Sequence, residues 1–296
     1  MPKRLAVPLL LLMSLCGSAA PVSAQALVPH VLQLDGDRLE EQGFSLAQEA
    51  AQLAQFQRVD LALPRAQLAT QLAPNSAEIW ALLGNLYLEV DEVNRAIVVL
   101  QKAQSLQRDN PAVLFTLGSA YLQKADYGNA VRYIEAGLRV TGEIPGALFD
   151  LGNAYYKLNR YDDAIDAFEE AVELDESFWP AVNNIGLVRY EQGDVEDAIE
   201  KWQAALQIDN EQAEPQLAIA VALYAQGNQE QALQLGETAL TLDPQYADLD
   251  FLRENLWGEQ LLTQAQQFLQ TPQMRAAIAR LGGDSTSANS TETPVP

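Results

Sequence analysis

WALLGNLY at residues 80–87 is followed by LFTLGSAY at 114–121 and LFDLGNAY at 148–155. The three segments carry a leucine, a glycine and a tyrosine in the same places, and they follow one another at equal intervals. Because apolar residues three and four places apart share one face of a helix, each segment predicts an amphipathic helix. The recurrence predicts a repeated structural unit.

Two series of small residues extend this period along most of the chain. The two series have the same spacing, and the second follows the first at a constant offset. The first series is Gly84, Gly118, Gly152, Gly186 and Ala220, and the second is Ala96, Ala130, Ala164, Ala198 and Ala232. A period of about 34 residues is typical of a helix–turn–helix solenoid. Because small side chains allow two helices to pack closely, we expect the helix backbones of each unit to approach closely at these positions.

The pattern resembles that of the tetratricopeptide-repeat (TPR) family and covers about residues 43–246. The resemblance implies an all-α solenoid wound as a right-handed superhelix. A degenerate unit is expected at 43–76, and clear units are expected at 77–110, 111–144, 145–178, 179–212 and 213–246. Two residues depart from the family pattern: Arg189 replaces the usual tyrosine, and Gly236 replaces a bulky apolar residue. Both predict altered local packing.

Composition and charge exclude several classes of function. Hydrophobic residues make up 48% of the 296-residue chain, so a large core can form, and the abundant Ala, Leu, Gln and Glu favour helices. The net charge of −22 opposes binding to nucleic acid, whose phosphates require lysine and arginine. Cys16 and His30 are the sole cysteine and histidine. Thiol and imidazole sites are therefore excluded, and we predict neither a metal nor a cofactor.

The N-terminus has the features of an export signal. Two basic residues precede an apolar run at 5–15, and small residues ending at Ala24 form a cleavage-site pattern. Residues 1–24 are predicted to be a signal peptide or a membrane anchor, although this run is shorter than the ~20 residues that span a bilayer. A lipid on Cys16 is a further alternative. The protein is expected in an exported compartment (periplasm or thylakoid lumen) or anchored at a membrane.

The segments flanking the repeats have simpler predictions. Residues 25–42 are expected to form a linker or helix. Because the ends of a solenoid need polar caps, residues 247–281 are predicted to be capping helices, one at about 247–270 and one at 273–281. The tail at 282–296 is rich in Ser, Thr, Asn and Pro and is predicted to be disordered.

The TPR resemblance also implies where a ligand binds. In that family the first helix of each unit lines a concave groove, and positions 2, 5, 6, 9, 12 and 13 of the unit commonly point inward. Aromatic and apolar groups alternating with amides suit an extended or helical peptide. The predicted groove residues are Asn85, Phe115, Ser119, Phe149, Asn153, Tyr156, Asn184, Leu187, Tyr190 and Tyr224, with Asn183, Leu217 and Val221 beside them.

Other interpretations of the groove remain. These side chains could pad an inner wall or receive the C-terminal helix. A clamp for an anionic peptide terminus is not favoured, because an anion needs cations at close range and the groove positions supply only Lys157. The stretch from Glu143 to Glu214 contains 18 acidic residues against four basic ones. It is either a solvated outer face or a docking surface for a basic partner, which would make association sensitive to salt.

The predicted function is protein interaction without catalysis. Asp35-Gly36-Asp37 is too short for a calcium loop, and no glycine-rich phosphate loop occurs. We predict a scaffold or adaptor that binds a peptide or protein in the groove and assists assembly of a membrane or envelope complex. The alternative is a structural subunit that binds through its convex, acidic face. The composition also resembles that of cyanobacterial TPR proteins that have a membrane-targeting segment and assist assembly at thylakoids.

Overall fold

The computed structural model describes residues 35–287; the predicted signal or anchor and residues 288–296 lie outside this range. Within it the chain is helical and contains no strand. None of these helices is both long and apolar enough to cross a bilayer. The helices are α1 (Gly36–Gln55), α2 (Val59–Leu72), α3 (Ala77–Glu89), α4 (Val93–Leu106), α5 (Pro111–Gln123), α6 (Tyr127–Thr141), α7 (Pro145–Lys157), α8 (Tyr161–Leu174), α9 (Trp179–Glu191), α10 (Val195–Ile208), α11 (Ala213–Ala225), α12 (Gln229–Leu242), α13 (Leu249–Glu254), α14 (Glu259–Leu269) and α15 (Pro272–Ser287).

Helices α3 to α12 form five consecutive packed pairs, and each pair also packs on the next. This arrangement confirms the predicted all-α solenoid. Two residues after the first helix of each pair, a residue with a left-handed backbone stops the helix and reverses the chain. These turn residues share position 15 of their units: Asp91, Ala125, Asn159, Gly193 and Gly227, with φ between 58° and 90°.

The glycine series marks notches that receive large side chains. A Cβ atom at Gly152 would lie 2.5 Å from Cε1 of Phe168, and one at Gly186 would lie 2.5 Å from Nε1 of Trp202. At each of these glycines a side chain from position 24 of the same unit fills the notch. The backbone of the second helix is also close at Gly118, where a Cβ atom would lie 3.5 Å from the backbone nitrogen of Ile134. The alanine series (Ala96, Ala130, Ala164, Ala198 and Ala232) is fully buried.

A hydrogen bond between neighbouring units recurs at the tyrosine of the repeat. The hydroxyl of Tyr121 accepts from Nε2 of Gln101 at 3.1 Å, and the hydroxyl of Tyr155 donates to Oε1 of Glu135 at 2.8 Å. Arg189 occupies this position in the fourth unit and pairs instead with Asp197 of its own unit, at 2.9 Å.

Both ends of the solenoid differ from the expected boundaries. α1 begins at Gly36, within the segment predicted as linker or helix, and continues to Gln55 across the predicted boundary at residue 43. The single helix predicted at about 247–270 is two helices, α13 and α14, which follow a 3₁₀ turn at Pro244–Ala247. The break between them lies where Leu256 adopts a left-handed backbone with φ of 70° and Gly258 is extended with ψ of 170°. α15 continues to Ser287, so the first part of the predicted tail is helical.

Candidate binding cleft

The C-terminal helices fold back onto the first helices of the last two units. α14 packs against α9 and α11. The ring of Tyr224 lies 5.3 Å from the ring of Phe268. Four other predicted groove residues are each at most 1% exposed: Leu187, Tyr190, Leu217 and Val221. These side chains do not line an open groove, because in these two units the inner wall receives the C-terminal helix.

Polar contacts fix the start of α14. The carboxylate of Glu191 accepts hydrogen bonds from the backbone N–H groups of Gln260 at 3.2 Å and Leu261 at 3.1 Å. A negative charge is favourable at this positive end of a helix. The hydroxyl of Tyr190 donates to Oε1 of Gln264, and burial raises the Tyr190 pKa to about 12. The C-terminal segment is thus held by its backbone as well as by its apolar face.

Glu214 is a buried carboxyl group beneath this segment. It is 8% exposed, and its Oε1 accepts from Nε1 of Trp257 at 3.0 Å. Burial raises the pKa of Glu214 to about 7, and the hydrogen bonds from Trp257 and Asn183 oppose that shift. From the sequence, Glu214 was predicted only as part of the acidic stretch from Glu143 to Glu214. Its place at position 2 of the unit that begins at Ala213 was the signal that it faces inward.

An open cleft of about 1050 Å³ remains beside the C-terminal segment. It is formed by α5, α7 and α9, by the start of α11, and by the turn at residues 253–256. Its lining combines apolar and aromatic groups with amides and charged side chains. Among them are Leu122, Phe149, Trp179, Leu256, Asn153, Asn184, Lys157, Arg253 and Glu214, and Asp91 and Glu254 add two further carboxylates. The C-terminal turn closes one side, so the open cleft is shorter than the groove that the sequence predicts.

The polar groups of the cleft retain capacity for a ligand. Nδ2 of Asn184 donates to Oδ1 of Asn153 at 2.9 Å. Because this bond uses only Oδ1 of Asn153, the Nδ2 group of Asn153 can donate hydrogen bonds to a peptide carbonyl. Lys157 is half-buried; burial lowers the pKa of its ammonium group, Glu259 opposes this shift and Arg253 adds to it. The cleft therefore offers hydrogen bonds, an apolar surface and two basic side chains, Lys157 and Arg253.

Comparison with models of known protein families identifies the family of the repeats. Models described as tetratricopeptide repeat match residues 77–110, 111–143 and 145–178, and one described as TPR repeat matches 186–227. The chain is a tetratricopeptide-repeat protein. Its sequence matches none of the curated proteins with which it was compared.

Solved structures share the TPR fold. MamA 41-end from Desulfovibrio magneticus RS-1 superposes with a TM-score of 0.55 at 19% identity, over 58% of this chain and 97% of that one. YrrB, described as a TPR protein with an unusual peptide-binding site, gives 0.50 at 23% identity over 68% and 97%. The Cut9–Hcn1 hetero-tetramer of the APC/C gives 0.60 at 18% identity over 74% and 44%. At these identities the likeness shows the fold alone.

Three predicted groove residues of the TPR protein lie away from the cleft lining. Asn85 is exposed on α3. Phe115 is half-buried, and its ring fills the space beside Gly137, where a Cβ atom would lie 2.5 Å from Cε1 of Phe115. The hydroxyl of Ser119 donates to Oδ2 of Asp150 at 3.3 Å, and burial raises the pKa of that carboxyl group. The structure therefore brings only part of the predicted set together.

Two further groove residues serve in packing. Phe149 lines the cleft but also packs on Phe178, with ring centroids 5.3 Å apart. Tyr156 is 5% exposed and lies 5.9 Å from the ring of Tyr161; its hydroxyl has no hydrogen-bond partner in the described part of the chain. Burial raises the Tyr156 pKa. Between residues 35 and 287, no group of three or more His, Cys, Asp or Glu side chains could hold a metal ion.

Proposed function

We propose that this TPR protein is an interaction scaffold that binds a segment of a partner protein in the cleft. The observation that carries the proposal is the hydrogen-bonded pair of Asn153 and Asn184, set among Leu122, Phe149 and Trp179 in one open cleft. Amides can bond the backbone of an extended peptide while its side chains contact the apolar lining. The peptide-binding site described for YrrB, which shares the fold, supports this mode of binding.

The proposal concerns binding and not catalysis. TPR proteins are typically interaction scaffolds without enzymatic activity. The amides and apolar groups that line most of the cleft suit recognition of a chain segment. A scaffold of this kind joins proteins without changing them chemically.

The proposal includes a location near a membrane. Residues 1–24 would export the chain, or residues 5–15 would anchor it, and the scaffold would assist assembly of a membrane or envelope complex in the periplasm or thylakoid lumen. Fractionation of cells tests this part: the full chain should reach the exported or membrane fraction, and the chain without residues 1–24 should not. Equal distribution of both would contradict it.

The binding proposal is tested by blocking the cleft. Leu122→Arg places a long charged side chain at a lining position, whereas Leu88→Arg places the same side chain at the same repeat position of α3, outside the cleft lining. Both leucines are half-buried, so the two changes are similar in burial. Tagged full-length protein and both variants are purified from the native cells, and bound proteins are identified by mass spectrometry.

A discrete partner should be lost with Leu122→Arg and retained with Leu88→Arg, while circular dichroism shows equal helix content in both. The proposal fails if the same partners remain with both variants, or if both variants lose them while still folded.

A further inference from the structure

A second groove lies on the side of the solenoid formed by the second helices. It has a volume of about 520 Å³ and lies between α8, α9 and α10. We call it the outer groove. It is lined by Glu169, Val172, Glu173, Val182, Ile185, Lys201, Ala204, Gln207 and Ile208. α9 contributes Val182 and Ile185 here and Asn184 to the cleft, so the two sites use different side chains.

The outer groove has a polar counterpart two units earlier. A groove of about 610 Å³ lies between α4, α5 and α6, and most of its lining comes from the same repeat positions. Where the outer groove has Glu169, Val172 and Glu173, this counterpart has Gln101, Gln104 and Ser105. The repeat geometry therefore creates the grooves, and the side chains make the outer groove apolar inside and acidic at its edge.

Exposed apolar surface and charge together indicate the occupant. Ile208 is 38% exposed at the end of α10, and Val172 and Ala204 are half-buried beside it. Glu169 is exposed and Glu173 is on the same edge, and Lys201 is the one cation of this lining. The surrounding stretch from Glu143 to Glu214 has 18 acidic residues against four basic ones. The negative electrostatic potential of this stretch attracts a cationic partner and repels an anionic one.

We propose that the outer groove binds a basic amphipathic segment of a partner protein. An apolar side chain of that segment contacts Val172, Ala204 and Ile208, and lysine or arginine beside it pairs with Glu169 and Glu173. The site is independent of the cleft, because none of its lining residues belongs to the cleft. Its ion pairs lie at the solvent-exposed edge, so binding weakens as salt rises.

Two peptides test the proposal. Each is an amphipathic helix of about four turns with one leucine face; lysine flanks the leucines in the first peptide and glutamate in the second. Fluorescence anisotropy with full-length protein gives the Kd at about 0.05 M and about 0.5 M salt. At low salt the lysine peptide should bind at least about tenfold more tightly than the glutamate peptide. The lysine peptide itself should bind less tightly at high salt than at low salt.

Matched variants place the binding site. Ala204→Arg fills the outer groove, and Ala136→Arg adds the same charge at the same repeat position of the polar counterpart. Both alanines are half-buried. Ala204→Arg should raise the Kd of the lysine peptide by about tenfold or more, and Ala136→Arg by less than about threefold. Glu169→Gln combined with Glu173→Gln should weaken binding at low salt and reduce its salt dependence.

Three results would overturn the proposal. The first is no binding of the lysine peptide to the unmodified protein, and the second is an equal effect of Ala204→Arg and Ala136→Arg on its Kd. The third is loss of peptide binding with Leu122→Arg but not with Ala204→Arg. The last result would place the peptide in the cleft. Circular dichroism of each variant separates lost binding from lost folding.

Discussion

At the scale of single residues, size matching across each helix pair specifies the fold. Position 8 carries glycine in four units, and position 24 carries the side chain that fills its notch: Leu100, Ile134, Phe168 and Trp202. The spacing of the small residues is visible in the sequence, so the repeat could be predicted from it. The sequence could not show which side chain fills each notch, because several large residues of each unit share the same apolar face.

Gly152 and Gly146 allow this packing to be tested on one helix. A Cβ atom at Gly152 would lie 2.5 Å from Phe168, whereas one at Gly146 has open space around it. We expect Gly152→Ala to lower the free energy of unfolding by about 1–3 kcal/mol through overpacking. Gly146→Ala should leave it unchanged or raise it by up to about 1 kcal/mol through helix propensity. Urea denaturation of both variants measures the difference. Equal free energies of unfolding would contradict the claim that Phe168 fills the space beside Gly152.

Glu214 predicts a pH dependence of stability. Its pKa is about 7 in the folded protein against an ordinary value of 4.5, so the folded state holds the proton more tightly. The resulting stability is fully present below pH 4.5 and is lost as the pH rises through 7. Relative to Glu214→Gln, the unmodified protein should lose up to about 3 kcal/mol between pH 4.5 and pH 8. Urea midpoints of both proteins across this range test it; parallel pH profiles would contradict it.

At the scale of elements, α14 completes the last unit. Gly236 occupies position 24 there and leaves a gap, and a Cβ atom at Gly236 would lie 2.6 Å from Cζ of Phe268 and 3.2 Å from Cε of Met274. The C-terminal helices thus supply the bulk that this repeat lacks. The sequence held two signals for this: the glycine itself, and the apolar inner positions Leu217 and Val221. It could not fix where α14 docks, because α14 lies outside the repeat register and its place depends on tertiary packing.

The cap on α14 is expected to contribute measurably to stability. Glu191→Ala leaves the N–H groups of Gln260 and Leu261 without their carboxylate, and the loss of a cap costs about 0.5–2 kcal/mol. Glu176→Ala removes an exposed glutamate between α8 and α9 as a control and should change stability by less than about 0.5 kcal/mol. Thermal denaturation compares the two. Equal melting temperatures would show that Glu191 does not hold α14.

At the scale of the whole molecule, the returning C-terminal helices divide the inner surface into a closed part and an open part. The family pattern predicts a groove along every unit, but the structure leaves an open cleft bounded by residues 253–256. Asn153, Asn184 and Phe149 could be predicted as cleft residues because they follow the repeat register. Arg253 and Leu256 could not, since they come from outside the repeats. The acidic composition could be read from the sequence. The apolar lining of the outer groove could not be predicted, because it forms only where α8, α9 and α10 pack together.

Photocrosslinking from inside the cleft tests the central claim most directly. A photoreactive amino acid replaces Asn153 in the cleft or, as the matched control, Asn85 at the same repeat position on the exposed surface of α3. Irradiation of living cells followed by mass spectrometry identifies the crosslinked proteins. The account predicts a discrete crosslinked partner from position 153 and none from position 85. The same products from both positions, or products from position 85 alone, would contradict binding in the cleft.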